Sequence, residues 1–238
     1  MPNDWPVPLD RPIYQMNEAA RLLGLPDKTL RRWIDGDRRF DTVIEPLIRP
    51  ESTGSTEVTW GEFAEAGFLR QYRYRSLPMK RLRPLITALR EELRTPYPLA
   101  QAKPLYTRGR ELLWREQQNH GIGPDLFLVV QGPLEKGYQL VLTEVATQFV
   151  SRVEFEPPET GVVAKWYPLG PDHKRIVLDP RISFGLPTIK GIRTEILSEL
   201  HAAGEPDSSI VKAYSAYGIS QSDIIEAVRF EHSLRPAA

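Results

Sequence analysis

Lys28, Thr29, Arg31 and Arg32 carry side chains suited to reading a nucleic acid, and they stand within one short segment. On that segment Leu30, Trp33 and Ile34 recur at the i, i+3, i+4 spacing of a helix with one buried face. With that face turned inward, the four polar residues point outward near the helix's N-terminal end, where a major-groove reader presents its donors. Arginine forks onto guanine or phosphate, and threonine reaches either a base or the backbone. Arg21, ahead of the turn, would sit over flanking phosphates.

A second helix must hold this one. Residues 18–23 read as that helix, capped by Asn17, with Ala19, Ala20, Leu22 and Leu23 as its apolar face and Gly24 as its end. Asp27 reads as the cap of the helix that follows. Residues 42–48 and 56–60 read as the two strands of a hairpin about residues 50–55, which makes a wing. Helical patterning covers 61–76 and 78–93. The segments 126–131 and 138–145 read as a middle hairpin, with 149–155, 162–169 and 176–178 as further short strands. From Arg193 onward three helices are punctuated by Gly204 and Gly218. The fold class expected is mainly α with small β elements (α+β): an N-terminal winged helix-turn-helix, a small central β-sheet and a C-terminal three-helix module. Domains are expected at 1–97, 98–161 and 162–238.

The chain has 238 residues, no cysteine and a formal net charge of zero. Nucleic-acid affinity depends on local charge, and residues 70–115 hold twelve basic side chains against three acidic ones. That block is a candidate second phosphate surface. No apolar run approaches the roughly 20 residues that span a bilayer, so a cytoplasmic protein without membrane contact is expected. Cysteine chemistry and thiolate zinc sites are excluded. The four histidines lack ligand spacing, and Asp179, Asp207 and Asp223 have simpler roles at turns and caps. A phosphate loop is excluded because Lys190 precedes Gly191 where the motif needs the reverse order. No catalytic residue, metal or cofactor is expected.

The stretch from Tyr14 to Trp33, with Glu18-Ala19-Ala20 and Thr29-Leu30-Arg31-Arg32-Trp33, resembles the winged helix-turn-helix of MerR-type regulators and excisionases. That resemblance implies wing contacts to phosphate from Arg38, Arg39 and Arg49. The family's long coiled coil and cysteine effector site are missing. A second pattern, D-P-x-I-x-x-G-x-P-x-I-x-G-x-R, runs from Asp179 to Arg193. Here Gly185, Pro187 and Gly191 fix an irregular turn, and Arg193 is expected to lock it by bonding carbonyls or Asp179. With the helices behind it, this pattern resembles a small domain of bacterial antitoxins that accompany PIN-type ribonuclease toxins. Ile224, Ile225, Val228 and Phe230 offer more apolar surface than a small helical hairpin buries, which marks a dimer or partner face. The resemblance as a whole is to the VapB group of antitoxins. It implies binding of the chain's own operator DNA, neutralisation of a PIN-domain ribonuclease by an arm over 231–238 bearing Arg235, or else by Arg229 or the middle segment, and a homodimer. Two other readings stay open: a stand-alone transcription factor with a sensing C-terminal part, and a purely structural interaction protein.

Overall fold

The computed structural model describes residues 6–39, 42–72, 79–105, 107–133, 138–159 and 161–234. The chain forms two compact units, one from Leu9 to Val163 and the other built mainly on Ala164 onward. The architecture is α+β, with helices joined by small antiparallel sheets.

In the first unit, β1 (Pro12–Gln15) runs straight into α1 (Met16–Leu23). The helix therefore starts earlier than the sequence suggests. Its N-cap is Gln15, while Asn17 Oδ1 accepts the N–H of the adjacent Glu18 at 2.9 Å. Gly24 ends α1 in the left-handed conformation at φ 60°, which glycine adopts without steric cost. Two residues later α2 (Asp27–Asp35) begins, capped by Pro26 rather than Asp27. Leu30, Trp33 and Ile34 are buried, as their spacing requires.

The wing is paired differently from expectation. β2 (Asp37–Arg39) pairs with β3 (Thr42–Ile44), whereas β4 (Glu57–Thr59) pairs with β1, Tyr14 facing Val58. Gly36, at φ 79°, makes the sharp entry to β2; a Cβ there would lie 2.3 Å from the Ile44 carbonyl oxygen. Residues 50–55 cannot serve as the hairpin turn because the N–H groups of Thr53 and Gly54 are given to Asp35.

α3 (Trp60–Arg70) is the spine of this unit, with every residue from Trp60 to Leu69 buried. Phe63 lies 4.9 Å from the Tyr14 ring and 5.4 Å from that of Trp60, and Phe68 meets Phe149 edge-on at 4.6 Å. Trp60 donates its indole N–H to the Val163 carbonyl at 2.7 Å. A 3-10 turn then leads into α4 (Arg83–Leu93), whose Leu85, Ile86 and Leu89 face inward. α5 (Thr107–Asn119) has no counterpart in the sequence reading; it is mostly polar, and its buried Gln117 serves the backbone of Leu128 and Val129. The middle hairpin is present as β5 (Val129–Pro133) and β6 (Tyr138–Leu142). The strand expected over 149–155 is replaced by α6 (Glu144–Val150) and β7 (Val153–Glu156), because Val145, Ala146 and Phe149 form a helical stripe behind Thr143. β7 pairs with β8 (Val162–Trp166).

The second unit carries a three-stranded antiparallel sheet ordered β11 (Ile192–Arg193), β10 (Thr188–Ile189), β9 (Ile176–Val177). α7 (Thr194–Ala202), α8 (Asp207–Ala213) and α9 (Gln221–Leu234) enclose a core of Ile176, Ile189, Leu197, Ile210, Ile219, Ile224 and Phe230. Among the described residues no helix is long and apolar enough to cross a membrane.

Glu65 lies on α3 with no exposed surface. Its Oε1 accepts the Leu99 N–H at 2.8 Å, while Oε2 is 4.0 Å from Arg90 Nη2, too far for a hydrogen bond. Burial outweighs both partners and pushes the carboxyl up to about 8. A raised carboxyl contributes stability that is complete below its unfolded value and is lost as pH rises through the folded one. The wild-type protein should therefore lose roughly 4–5 kcal/mol between about pH 4.5 and pH 8 from this group. Glu65→Gln keeps the Leu99 hydrogen bond and should remove that slope. Urea melts at both pH values check it, and an unchanged slope in the variant contradicts it.

Candidate nucleic-acid interface

The apolar face of α2 packs inward, so the residues between its buried positions are placed by the helix itself. Lys28 and Arg31 are exposed, and Thr29 and Arg32 are half-buried. Arg32 leans toward Asp37, with Nε 4.0 Å from Oδ2. Arg21 is exposed on the last turn of α1. Arg38 is exposed on β2, and Arg39 lies on the same strand opposite Thr42. Arg31, Asp37, Arg38 and Val43 line a groove of about 390 Å³ between α2 and the β2–β3 hairpin. Val43 is 57% exposed at the hairpin. Of the sequence-derived candidates, Arg31 of the helix and Arg38 of the wing thus meet along one groove, while Lys28, Thr29, Arg32 and Arg21 do not line it.

The end of α2 is fixed by buried charge. Arg49 is only 8% exposed. Its Nε donates to Glu62 Oε1 at 2.6 Å, and its Nη1 to Asp35 Oδ1 and Thr53 Oγ1, both at 2.8 Å. Nη1 also reaches the Ser55 carbonyl at 3.2 Å, and Nη2 donates to the Glu57 carbonyl at 2.7 Å. Asp35 in turn accepts from the N–H groups of Thr53 and Gly54, at 2.7 and 2.9 Å, and from the Ser52 hydroxyl at 3.0 Å. Glu62 closes a capping box with Thr59 at the start of α3. One guanidinium therefore joins the last residue of α2, the 50–55 loop, β4 and α3. Arg49 is not a phosphate contact, as the family resemblance implied, because its donors are consumed inside the protein.

Sequence reasoning missed this cluster, although two signals were available. Thr59-Trp60-Gly61-Glu62 is a capping-box pattern, and Asp35 directly follows the apolar stripe of α2. The basic block beyond Arg70 also divides. Arg83 donates from Nε to the Pro46 carbonyl at 3.0 Å and from Nη2 to that of Glu45. Arg90 donates to the Ile48 carbonyl, and Arg110 to those of Leu105 and Leu140, at 3.0 and 3.1 Å. These arginines are staples on backbone carbonyls rather than a phosphate surface. Arg73 and Arg75 lie outside the described residues.

In the second unit, Asp179 is buried and forked by Arg181, Nε and Nη2 each at 3.0 Å. Arg193, expected in that place, stands 3.7 Å from Glu195 instead. Arg181 is two residues from Asp179 and already inside the turn, so it closes the shorter loop. Gly185 and Gly191 take left-handed conformations, and the Pro187 carbonyl accepts the N–H of Thr194 at 2.9 Å. Ile224 and Phe230, read as partner-binding, are buried in the unit's own core. Val228 is half-buried against that core, and of the four only Ile225, 39% exposed, remains at the surface. Arg235 lies outside the described residues.

The Asp35 carboxyl is raised by burial, but the hydrogen bonds from Thr53, Arg49 and Gly54 outweigh this and leave it at about 2. Its stabilising effect is complete above about pH 4 and should be lost as pH falls toward 2. Arg49→Met leaves two carboxylates buried without their cation. It should cost about 3–5 kcal/mol and move the acid unfolding midpoint upward. Thermal melts between pH 3 and pH 7 measure both effects, and a variant that melts with wild type across this range refutes the role given to Arg49.

The N-terminal region matches a protein-family profile described as “Putative DNA-binding HTH domain” over residues 12–86, from the start of β1 through the 3-10 turn and into the first turn of α4. Across nearly its whole length the chain is similar to two proteins of Mycobacterium tuberculosis (strain ATCC 25618 / H37Rv). “Uncharacterized protein Rv2308” is 31% identical over 235 residues, covering 96% of this chain and 94% of that one. “Putative antitoxin VapB45” is 29% identical over 231 residues, covering 92% and 95%. The crystal structure of Rv2018 from Mycobacterium tuberculosis superposes with a TM-score of 0.69 at 28% identity, over 93% of this chain and all of that one. With the helix-turn-helix in place and 31% identity sustained from end to end, the chain belongs to the same family as Rv2308.

Proposed function

We propose that the protein is the antitoxin of a type II toxin-antitoxin pair. It binds its own operator through α2 and the β2–β3 wing, in the manner of MerR-type heads, and it neutralises a PIN-type ribonuclease through its second unit. The observation that carries the DNA reading is the groove where Arg31 of α2 meets Arg38 of the wing, with Asp35 of the Arg49 cluster in its wall and Lys28 exposed on the same helix. Exposed arginine and lysine at such a groove supply both guanine forks and phosphate contacts. The antitoxin reading draws support from the similarity to the protein named as antitoxin VapB45 over 92% of the chain. A homodimer would set two recognition helices on half-sites of a pseudo-palindromic operator.

A stand-alone regulator has one observation in its favour. The second unit holds a cleft of about 730 Å³ lined by Leu169, Lys174, Arg175, Ile225, Glu226 and Arg229, which could take a small acid. The neighbouring reading frame discriminates: a short PIN-like protein there supports the antitoxin, and its absence supports the regulator.

Lys28→Ala with Arg31→Ala should weaken binding to the DNA upstream of the gene by at least about tenfold and flatten its salt dependence by one or two contacts' worth. Gel shifts at several salt concentrations read both, and undiminished binding removes the interface. The same double variant should still relieve growth arrest when co-expressed with the neighbouring toxin, since a separate unit does that work. Loss of protection by a folded variant shows that the two functions are not separable.

A further inference from the structure

Helical spacing decides what α9 leaves outside the core of the second unit. Ile224, Ala227 and Phe230 fill that core, so Ser222, Ile225, Glu226 and Arg229 fall in one row at i, i+3, i+4 steps. The turn ahead of β9, with Leu169, Asp172, Lys174 and Arg175, makes the facing wall of a cleft of about 730 Å³. That volume is of the size that holds a small organic molecule rather than a single ion.

The charges in the cleft are not equivalent. Arg175 is tied to α9: its Nη1 donates to Ser222 Oγ at 3.0 Å, and its Nε stands 3.6 Å from Glu226 Oε2. Arg175 and Glu226 therefore offset each other. Lys174 lies over the Tyr167 ring, 5.1 Å from its centroid, and has no carboxylate partner among the described residues. Arg229 has neither ion pair nor hydrogen bond among them. Asp172 is the remaining carboxylate of the lining, which leaves one cation in surplus. Beside these charges stand Leu169 and Ile225, 38% and 39% exposed, two of the five exposed large hydrophobic residues among those described.

We propose that the cleft binds a small monocarboxylic acid with an apolar body, Arg229 and Lys174 taking the carboxylate while Leu169 and Ile225 flank the body. A guanidinium forks onto a carboxylate, and an ammonium adds a point charge from the facing wall. Nucleic-acid phosphate is the poorer occupant, because Asp172 and Glu226 would repel it and the two aliphatic side chains would stay in water. The inference deepens the sensing alternative, and neither DNA binding nor toxin binding depends on it.

Isothermal titration of the full-length chain at fixed ionic strength tests it, with 3-phenylpropionate as the probe. The acid should bind saturably with a Kd below about 1 mM. 3-Phenylpropionamide, which lacks the charge, and propionate, which lacks the ring, should each bind at least about tenfold more weakly. Arg229→Gln and Lys174→Gln should each raise the Kd for the acid severalfold and melt with wild type, since both side chains are exposed. If a variant melts lower, the three ligands on the wild-type chain still decide the matter. Failure of the acid to saturate, or an amide or propionate that binds as well as the acid, overturns the inference. Inorganic phosphate that binds as tightly as the acid reduces the cleft to a plain anion patch, and a dimer split by the acid in sedimentation assigns the cleft to self-association; either result also overturns it.

Discussion

A buried guanidinium is costly unless every donor is answered, and the Arg49 group is answered from four directions at once. Asp35 and Glu62 supply charge, Thr53 a hydroxyl, and Ser55 and Glu57 their carbonyls. Thr53, Ser55 and Glu57 are local to one another, but Asp35 and Glu62 stand 14 and 13 residues from Arg49, beyond the reach of local propensity. Together they define where the recognition helix stops, how the 50–55 loop folds back, and where α3 begins. Since α3 is buried along almost its whole length, the orientation of α2 is referred to the core of the first unit rather than to a loop. The exposed face of Lys28 and Arg31 inherits that rigidity.

The same residue type does two kinds of work here. Arg83 and Arg90 reach from α4 to the carbonyls of Glu45, Pro46 and Ile48, the segment that returns from the wing. Planar guanidinium groups with several donors suit irregular backbone that no ladder satisfies. Counting basic residues along the chain therefore overstates the surface offered to phosphate. Among the cations that remain outward, Arg31 and Arg38 share one groove and Lys28 is exposed on the same helix as Arg31, and net charge over the whole chain does not set the local field there.

The helix-turn-helix was legible because its signals are local: an apolar stripe in α2, glycine at the end of α1, and a short turn between them. The existence of a wing was legible too, but its pairing was not. Strand partners are chosen by non-local hydrogen bonding, and the N–H groups of Thr53 and Gly54 were already claimed by Asp35. α5 escaped notice because a buried glutamine does the work that an apolar residue would advertise. In the second unit, the surplus apolar face on α9 shrank to Ile225 once Ile224 and Phe230 had a core to fill. The lock on Asp179 went to Arg181 instead of Arg193, since a two-residue loop costs less entropy to close than a longer one.

The proposed function divides the labour between two compact units of a chain in the Rv2308 family. The first carries the groove between α2 and the β2–β3 hairpin, lined by Arg31 and Arg38 together with Asp35, Asp37 and Glu45, and the second holds four of the five exposed large hydrophobic residues among those described. Amide hydrogen exchange on the full-length protein, bound to its upstream DNA and to the neighbouring gene product together, tests that division most directly. The account predicts two separate zones of slowed exchange, α2 with the β2–β3 hairpin from DNA and a zone within the second unit, from Ala164 onward, from the protein partner. Slowing of a single shared zone, or none in α2, contradicts it.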